Sequence, residues 1–299
     1  MFQSNIFAHV INEISIYEDI QLLKVKDEII FLRGINVISE ETGANLFRPQ
    51  EKLKKVDLAY WAGNFKEVGT EGSNKNVIVK EAFAKGLVSS LEGNTTYSEV
   101  NHAYFDGKAI LEQPDRELTR EEFVIFMGQY LKKEINGNTL MKISGHTSGP
   151  VGIIEQVTSE TVGEDKNKYN VYTFTINGLD FKLSSHVKVL YGPIDLNLWK
   201  GKKIIESWIS NGKLNNNSIQ IVVLESGQFS DSEMMTAPSH HNSSVNSKLG
   251  KDMPMNHIGQ TINAKENIPY VLIVSCIILF VIFIWFFVQP KRRSPNARE

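Results

Sequence analysis

The chain of 299 residues contains a single cysteine, Cys276. That excludes a disulfide within the chain, a thiolate zinc site and any Cys-x-x-Cys redox pair. A strong charge of either sign is also missing. The formal net charge is −2, from 32 Lys+Arg against 34 Asp+Glu, so the basic footprint of a nucleic-acid-binding protein is absent. The signatures of common catalytic sites are missing as well: the sequence has no phosphate-binding glycine loop, GxGxxG, HExxH or GxSxG. No internal repeat is evident. Acidic residues such as Asp115, Glu117, Glu121 and Glu122 gather before and at a helix start, where the dipole favours them without any chemistry. His102, His146 and His186 are scattered and read as surface or hydrogen-bonded histidines.

Against these absences stands one long apolar run. Residues 270–288 (YVLIVSCIILFVIFIWFFV) carry no charge, and Pro269 and Pro290 bracket them. A helix of that length is roughly 28 Å long, close to the thickness of a bilayer's hydrocarbon core. Tyr270 and Trp285 suit the two interfaces. The expectation is a transmembrane helix over 267–289 followed by a basic tail over 290–299, in which Lys291, Arg292, Arg293 and Arg298 place the C-terminus in the cytoplasm. The bulk of the chain is then extracytoplasmic. The first twenty residues lack the basic and apolar regions of an export signal, so a tail-anchored protein with a cytosolic bulk is the alternative. Without the tail, residues 1–266 carry a net −5.

Residues 226–266 are rich in Ser, Asn, Gly and His and poor in periodic apolar residues, which predicts a disordered tether. Within it, residues 234–257 hold four of the seven Met and three of the seven His. Met234, Met235, His240, His241, Met253, Met255 and His257 offer thioether sulfur and imidazole, ligands that suit Cu(I). Composition drift in a tether accounts for the same cluster without a metal.

Residues 141–225 show short period-two runs: 152–158, 170–176 and its return strand after Asn177-Gly178, 186–191, 204–209 and 218–224. A short helical turn is expected at 194–201. Five strands with one helical element between the third and the fourth resemble an oligonucleotide/oligosaccharide-binding (OB) barrel. The resemblance implies a binding face on the second and third strands, where Tyr169, Tyr172 and Phe174 would stack a ligand, although alternation sends about half of such rings inward.

Upstream, Thr119 and Glu122 form a capping box for an amphipathic helix over 120–135, carried by Phe123, Phe126, Met127, Tyr130 and Leu131. This helix is expected to connect two domains within 113–140. Residues 1–112 read as a strand-rich domain, with strand-like runs over 20–37, a strand at 76–80, a short helix at 81–87 and a hairpin over 97–110 turning at Asp106-Gly107.

The sequence therefore predicts a mainly β, α+β chain: an OB-like small barrel preceded by a strand-rich N-terminal domain, with a C-terminal transmembrane helix. The expected function is a membrane-anchored, non-catalytic binding or assembly module with a protein partner. A membrane-tethered copper carrier and an enzyme with an unrecognised site are the alternatives.

Overall fold

The computed structural model describes residues 10–40, 45–69, 72–163, 169–211 and 217–235. The tether beyond residue 235, the apolar segment 267–289 and the basic tail lie outside them. Among the described residues no helix is long and apolar enough to cross a membrane.

These residues form a mixed α+β structure with a seven-stranded sheet. The strands are β1 (Ile11–Asn12), β2 (His146–Ser148), β3 (Gly152–Val162), β4 (Tyr169–Ile176), β5 (Leu179–Leu190), β6 (Lys203–Ser210) and β7 (Ser218–Leu224). The order is β1-β5-β4-β3-β6-β2, with β7 paired to both β5 and β6. The β1–β5 and β5–β7 pairs are parallel and the others antiparallel. The Asn177-Gly178 turn joins β4 to β5 as expected, with both residues at positive φ (54° and 72°). The expected helical turn is a 3₁₀ helix, Leu196–Trp199, and its Trp199 ring packs 5.3 Å from Phe174 in the core.

The N-terminal part is helical, which corrects the strand-rich reading of residues 1–112. It contains α1 (Lys26–Gly34), α2 (Lys55–Phe65), α3 (Lys75–Ala84) and α4 (Tyr97–Phe105), followed by α5 (Arg120–Gly128) and the short α6 (Leu140–Ile143). The polar stretch Lys26-Asp27-Glu28 is the first turn of α1, with acids at its N-terminus. Ile29, Ile30, Leu32 and Arg33 are buried around this helix, so the β-branched run follows tertiary burial rather than strand propensity. The supposed hairpin at 97–110 is α4. Thr96 and Glu99 make a capping box, and Asp106 and Gly107 take positive φ (51° and 76°) to end a helix instead of turning a strand. A turn signal and a helix stop use the same residues here.

The capping box at Thr119–Glu122 starts α5 as expected. The α-helix ends at Gly128 and continues as a 3₁₀ turn, Gln129–Leu131. It is no connector, because Phe123, Val124 and Met127 sit fully buried in the main core, with Phe123 5.3 Å from Trp61.

Two hydrophobic cores result, and β5 and β7 form the wall between them. Val187 and Val189 of β5, with Ile219, Val222 and Leu224 of β7, face the core inside the sheet. Leu190, Ile221 and Val223 face the core built by the helices. Strands buried on both faces are expected to be apolar throughout. Lys188 breaks that rule. It lies between Val187 and Val189, is 3% exposed, and pairs with Ile221 in register.

Helix α1 lies against this wall. Its first turn is tied to the end of β5 by the Tyr191 hydroxyl, which donates to Asp27, and the Tyr191 backbone N–H donates at 3.1 Å to Glu13, just after β1. At its last residue, Gly34, an added Cβ would meet Ile221 Cγ1 at 2.5 Å and Lys188 Cγ at 3.5 Å. Absence of a side chain therefore sets how close the helix comes. Gly34→Ala is expected to destabilise the full chain by about 1–3 kcal/mol in chemical unfolding. In an Ile221→Ala background the same change should cost almost nothing, and equal costs in the two backgrounds would contradict this packing.

Candidate functional site

Where the end of α1 meets the wall, the sheet is irregular. Between Leu183 and Lys188, β5 advances five residues while β7 advances two. Between Trp208 and Ile209, β6 advances one while β7 again advances two, which leaves Gln220 unpaired in register. Such bulges re-aim side chains and recur beside functional sites. This one opens a cavity of about 280 Å³. Its lining comes from α1 and the segment after it (Arg33, Glu40), from the end of α2 (Asn64, Glu67), from the approach to β2 and its first residue (Ser144, His146), and from β5, β6 and β7 (Ser184, His186, Lys188, Ser210, Gln220).

The buried charges here are cationic. Arg33 and Lys188 are both buried, whereas Glu40 and Glu67 stand exposed at the rim. Arg33 Nη1 donates to Ile38 O at 3.2 Å and Nη2 contacts Glu40 at 3.3 Å. Lys188 Nζ donates to the His186 carbonyl at 3.0 Å, which uses one of its three N–H bonds. Burial, helped by the neighbouring Arg33 charge and only partly offset by Glu40, lowers the Lys188 pKa from 10.5 to about 8.

Neutral polar groups complete the wall. His146 Nδ1 lies 3.1 Å from the Ser144 carbonyl and 2.9 Å from the Ser144 hydroxyl; with that hydroxyl's proton given to Met141 O, a proton on Nδ1 satisfies both oxygens and leaves the lone pair on Nε2. The Ser144 hydroxyl donates to Met141 O at 2.8 Å. Burial pulls the His146 pKa down to about 4, leaving a neutral imidazole at physiological pH. Among the described residues, seven buried side-chain polar atoms have no hydrogen-bond partner, and three of them (Arg33 Nε, His146 Nε2 and Gln220 Oε1) belong to residues lining this cavity. Unsatisfied buried groups of this kind are costly, and their clustering marks the cavity as the candidate site.

A larger open groove of about 560 Å³ runs past Tyr97, Ile110, Phe126 and Tyr130. Its Arg116 is already paired with Glu122, and none of the seven unpartnered buried atoms found among the described residues belongs to its lining.

The residues singled out in the sequence fall elsewhere. Phe174 is fully buried against Trp199 and belongs to the core, so it offers no stacking surface. Tyr172 is half-buried and packs on the same core. The side chain of Tyr169 lies outside the described residues. Met234 ends the one-turn helix α7 (Asp231–Met234) and Met235 follows it exposed, while His240, His241, Met253, Met255 and His257 lie outside the described residues. Among the described residues no group of three or more His, Cys, Asp or Glu is placed to hold a metal ion. Sequence reading noted His146 and His186 as isolated, yet the fold brings both to one cavity. Arg33, Lys188 and Gln220 went unnoticed. The available signal was a lysine inside the buried run Val187–Leu190.

No known protein family, curated protein or solved structure matches the chain.

Keeping Lys188 charged in this wall costs about 3 kcal/mol, from the fall in its proton affinity. Lys188→Met keeps the volume and removes the charge, so the full chain should become more stable at pH 7 by up to that amount. The sign follows from linkage. Between pH 8 and 10.5 the unfolded chain holds the Lys188 proton and the folded one does not, so stability rises with pH, and the variant loses that rise. His146 acts in the same sense lower down: its contribution is complete above pH 6.5 and is lost as pH falls towards 4, and His146→Gln should flatten that window in urea unfolding.

Proposed function

We propose that the chain is a single-pass membrane-anchored binding module whose folded body receives a ligand at the junction of its helices and its sheet. One observation carries this reading: a cavity whose buried charges are both cationic, surrounded by unsatisfied polar atoms, in a wall that packing alone would make apolar. Proteins keep such costly groups where function needs them. Donors held in place with their partners missing are suited to recognition, and binding without turnover is the reading adopted.

The strand pairings support an OB-like barrel as the frame. Hydrogen bonds run β3–β4–β5–β7–β6 and return from β6 to β3, with β5 and β7 parallel and the 3₁₀ turn between β5 and β6. In this frame α1 covers part of the outer face of the third barrel strand, so the binding position moves from the open strand face to the bulge beside the helix end. In this reading the apolar segment 267–289, long enough for a bilayer's hydrocarbon core, is the anchor.

Native mass spectrometry of the full chain, extracted from membranes in mild detergent, tests the binding reading without assuming a ligand class. The expected spectrum shows a bound small-molecule mass on the wild type that is missing from Lys188→Met. Bare protein masses for both would overturn it.

A further inference from the structure

We propose that the cavity beneath the end of α1 binds a small phosphate-type oxyanion, either inorganic phosphate or the terminal group of a phosphomonoester. This names the ligand class of the binding site above and rests on that reading.

The donor inventory points to an oxyanion. Arg33 Nε is buried and unpartnered among the described residues. Lys188 Nζ has used one N–H of three. Ser184 is buried, and its hydroxyl accepts from the His186 backbone N–H at 3.3 Å, which leaves its own proton to donate. These donors come from the end of α1 and from the β5 bulge, and two of the three carry full charge. A ligand without negative charge would leave Lys188, whose one hydrogen bond is to a backbone carbonyl, uncompensated, and a buried uncompensated charge is the costlier state. The carboxylates at the rim meet the two cations only in part: exposed Glu40 pairs with Arg33 Nη2 at 3.3 Å, and Glu67 faces water.

The acceptors narrow the class further. His146 Nε2 carries a lone pair and Gln220 Oε1 is a carbonyl oxygen, both buried and unpartnered among the described residues. A fully deprotonated anion has nothing to give them. Hydrogenphosphate does, because near neutral pH it keeps one O–H for one of these acceptors while its remaining oxygens accept from the cations; a phosphomonoester, with its second pKa at about 6, offers that O–H only in its monoanion. Sulfate carries no proton under the same conditions, and neither does a carboxylate, which also brings one negative charge against two cations. The cavity, at about 280 Å³, is larger than one water needs and leaves space for a short ester substituent on the phosphate.

Calorimetry on the full chain in lipid nanodiscs tests this, titrating inorganic phosphate in one arm, glycerol phosphate in a second and sulfate at matched ionic strength in a third. Binding by phosphate, by glycerol phosphate or by both is expected, and the arm that responds more strongly identifies the source. Sulfate should bind far more weakly. Lys188→Met should weaken the phosphate response on the order of ten- to a hundred-fold, the loss of one charge-assisted hydrogen bond. Ser184→Ala, which removes a single hydroxyl, should weaken it less and guards against misfolding of the first variant. No heat from either phosphate ligand, a sulfate response equal to that of phosphate, or an unchanged response in both variants would overturn the proposal. A wild type that carries a bound mass in native mass spectrometry but gives no heat with either phosphate ligand would remove this ligand class alone and leave the binding site to another.

Discussion

Contact between α1 and the parallel β5–β7 wall is the constraint on which the rest of the structure depends. The wall divides two hydrophobic cores, so each of its residues faces one or the other. Helix α1 is laid on it by Asp27 and Tyr191 at one end and by the missing side chain of Gly34 at the other. That placement brings Arg33 beside Lys188. Neither cation would be buried if the helix stood a side chain's breadth farther away.

The same constraint explains why the sheet is irregular where it is. A lysine whose stem passes Gly34 and whose amine reaches the His186 carbonyl needs room that a regular ladder does not provide. The extra residues of β5 and the unpaired Gln220 of β7 make that room. Charge, bulge and cavity therefore form one feature. Its cost is met by the surrounding cores, in which Trp61, Phe123 and Tyr104 on the helical side and Phe174 and Trp199 on the other are fully buried.

The legible parts of the sequence were those governed by local rules. Asn177-Gly178 fixed a hairpin, Thr119 and Glu122 a helix start, and alternation over 170–224 the strands of the C-terminal half, because turn chemistry, capping and period-two patterning act over a few residues. The N-terminal half misled for a physical reason. Helix α1 is buried along most of its surface, so its apolar residues show no clear stripe, while α3 buries Ile78, Val79 and Ala82 but leaves Val77 and Phe83 exposed, and in both the β-branched Ile and Val imitate strands. The site was hidden by distance. Arg33 and Lys188 are separated by more than 150 positions in the chain, and only the wall brings them together. Lys188 could have been noticed as a charge inside a buried strand, but its partner could not.

On the proposed reading, Lys188 is a buried cation kept without enough countercharge for the sake of a ligand. The most direct measurement is the titration of its side-chain amine by nuclear magnetic resonance in the full chain, with Lys188→Met identifying the signal. The expected pKa is about 8 in the ligand-free protein, rising when phosphate is added. A value at the ordinary 10.5, unmoved by phosphate, would contradict it.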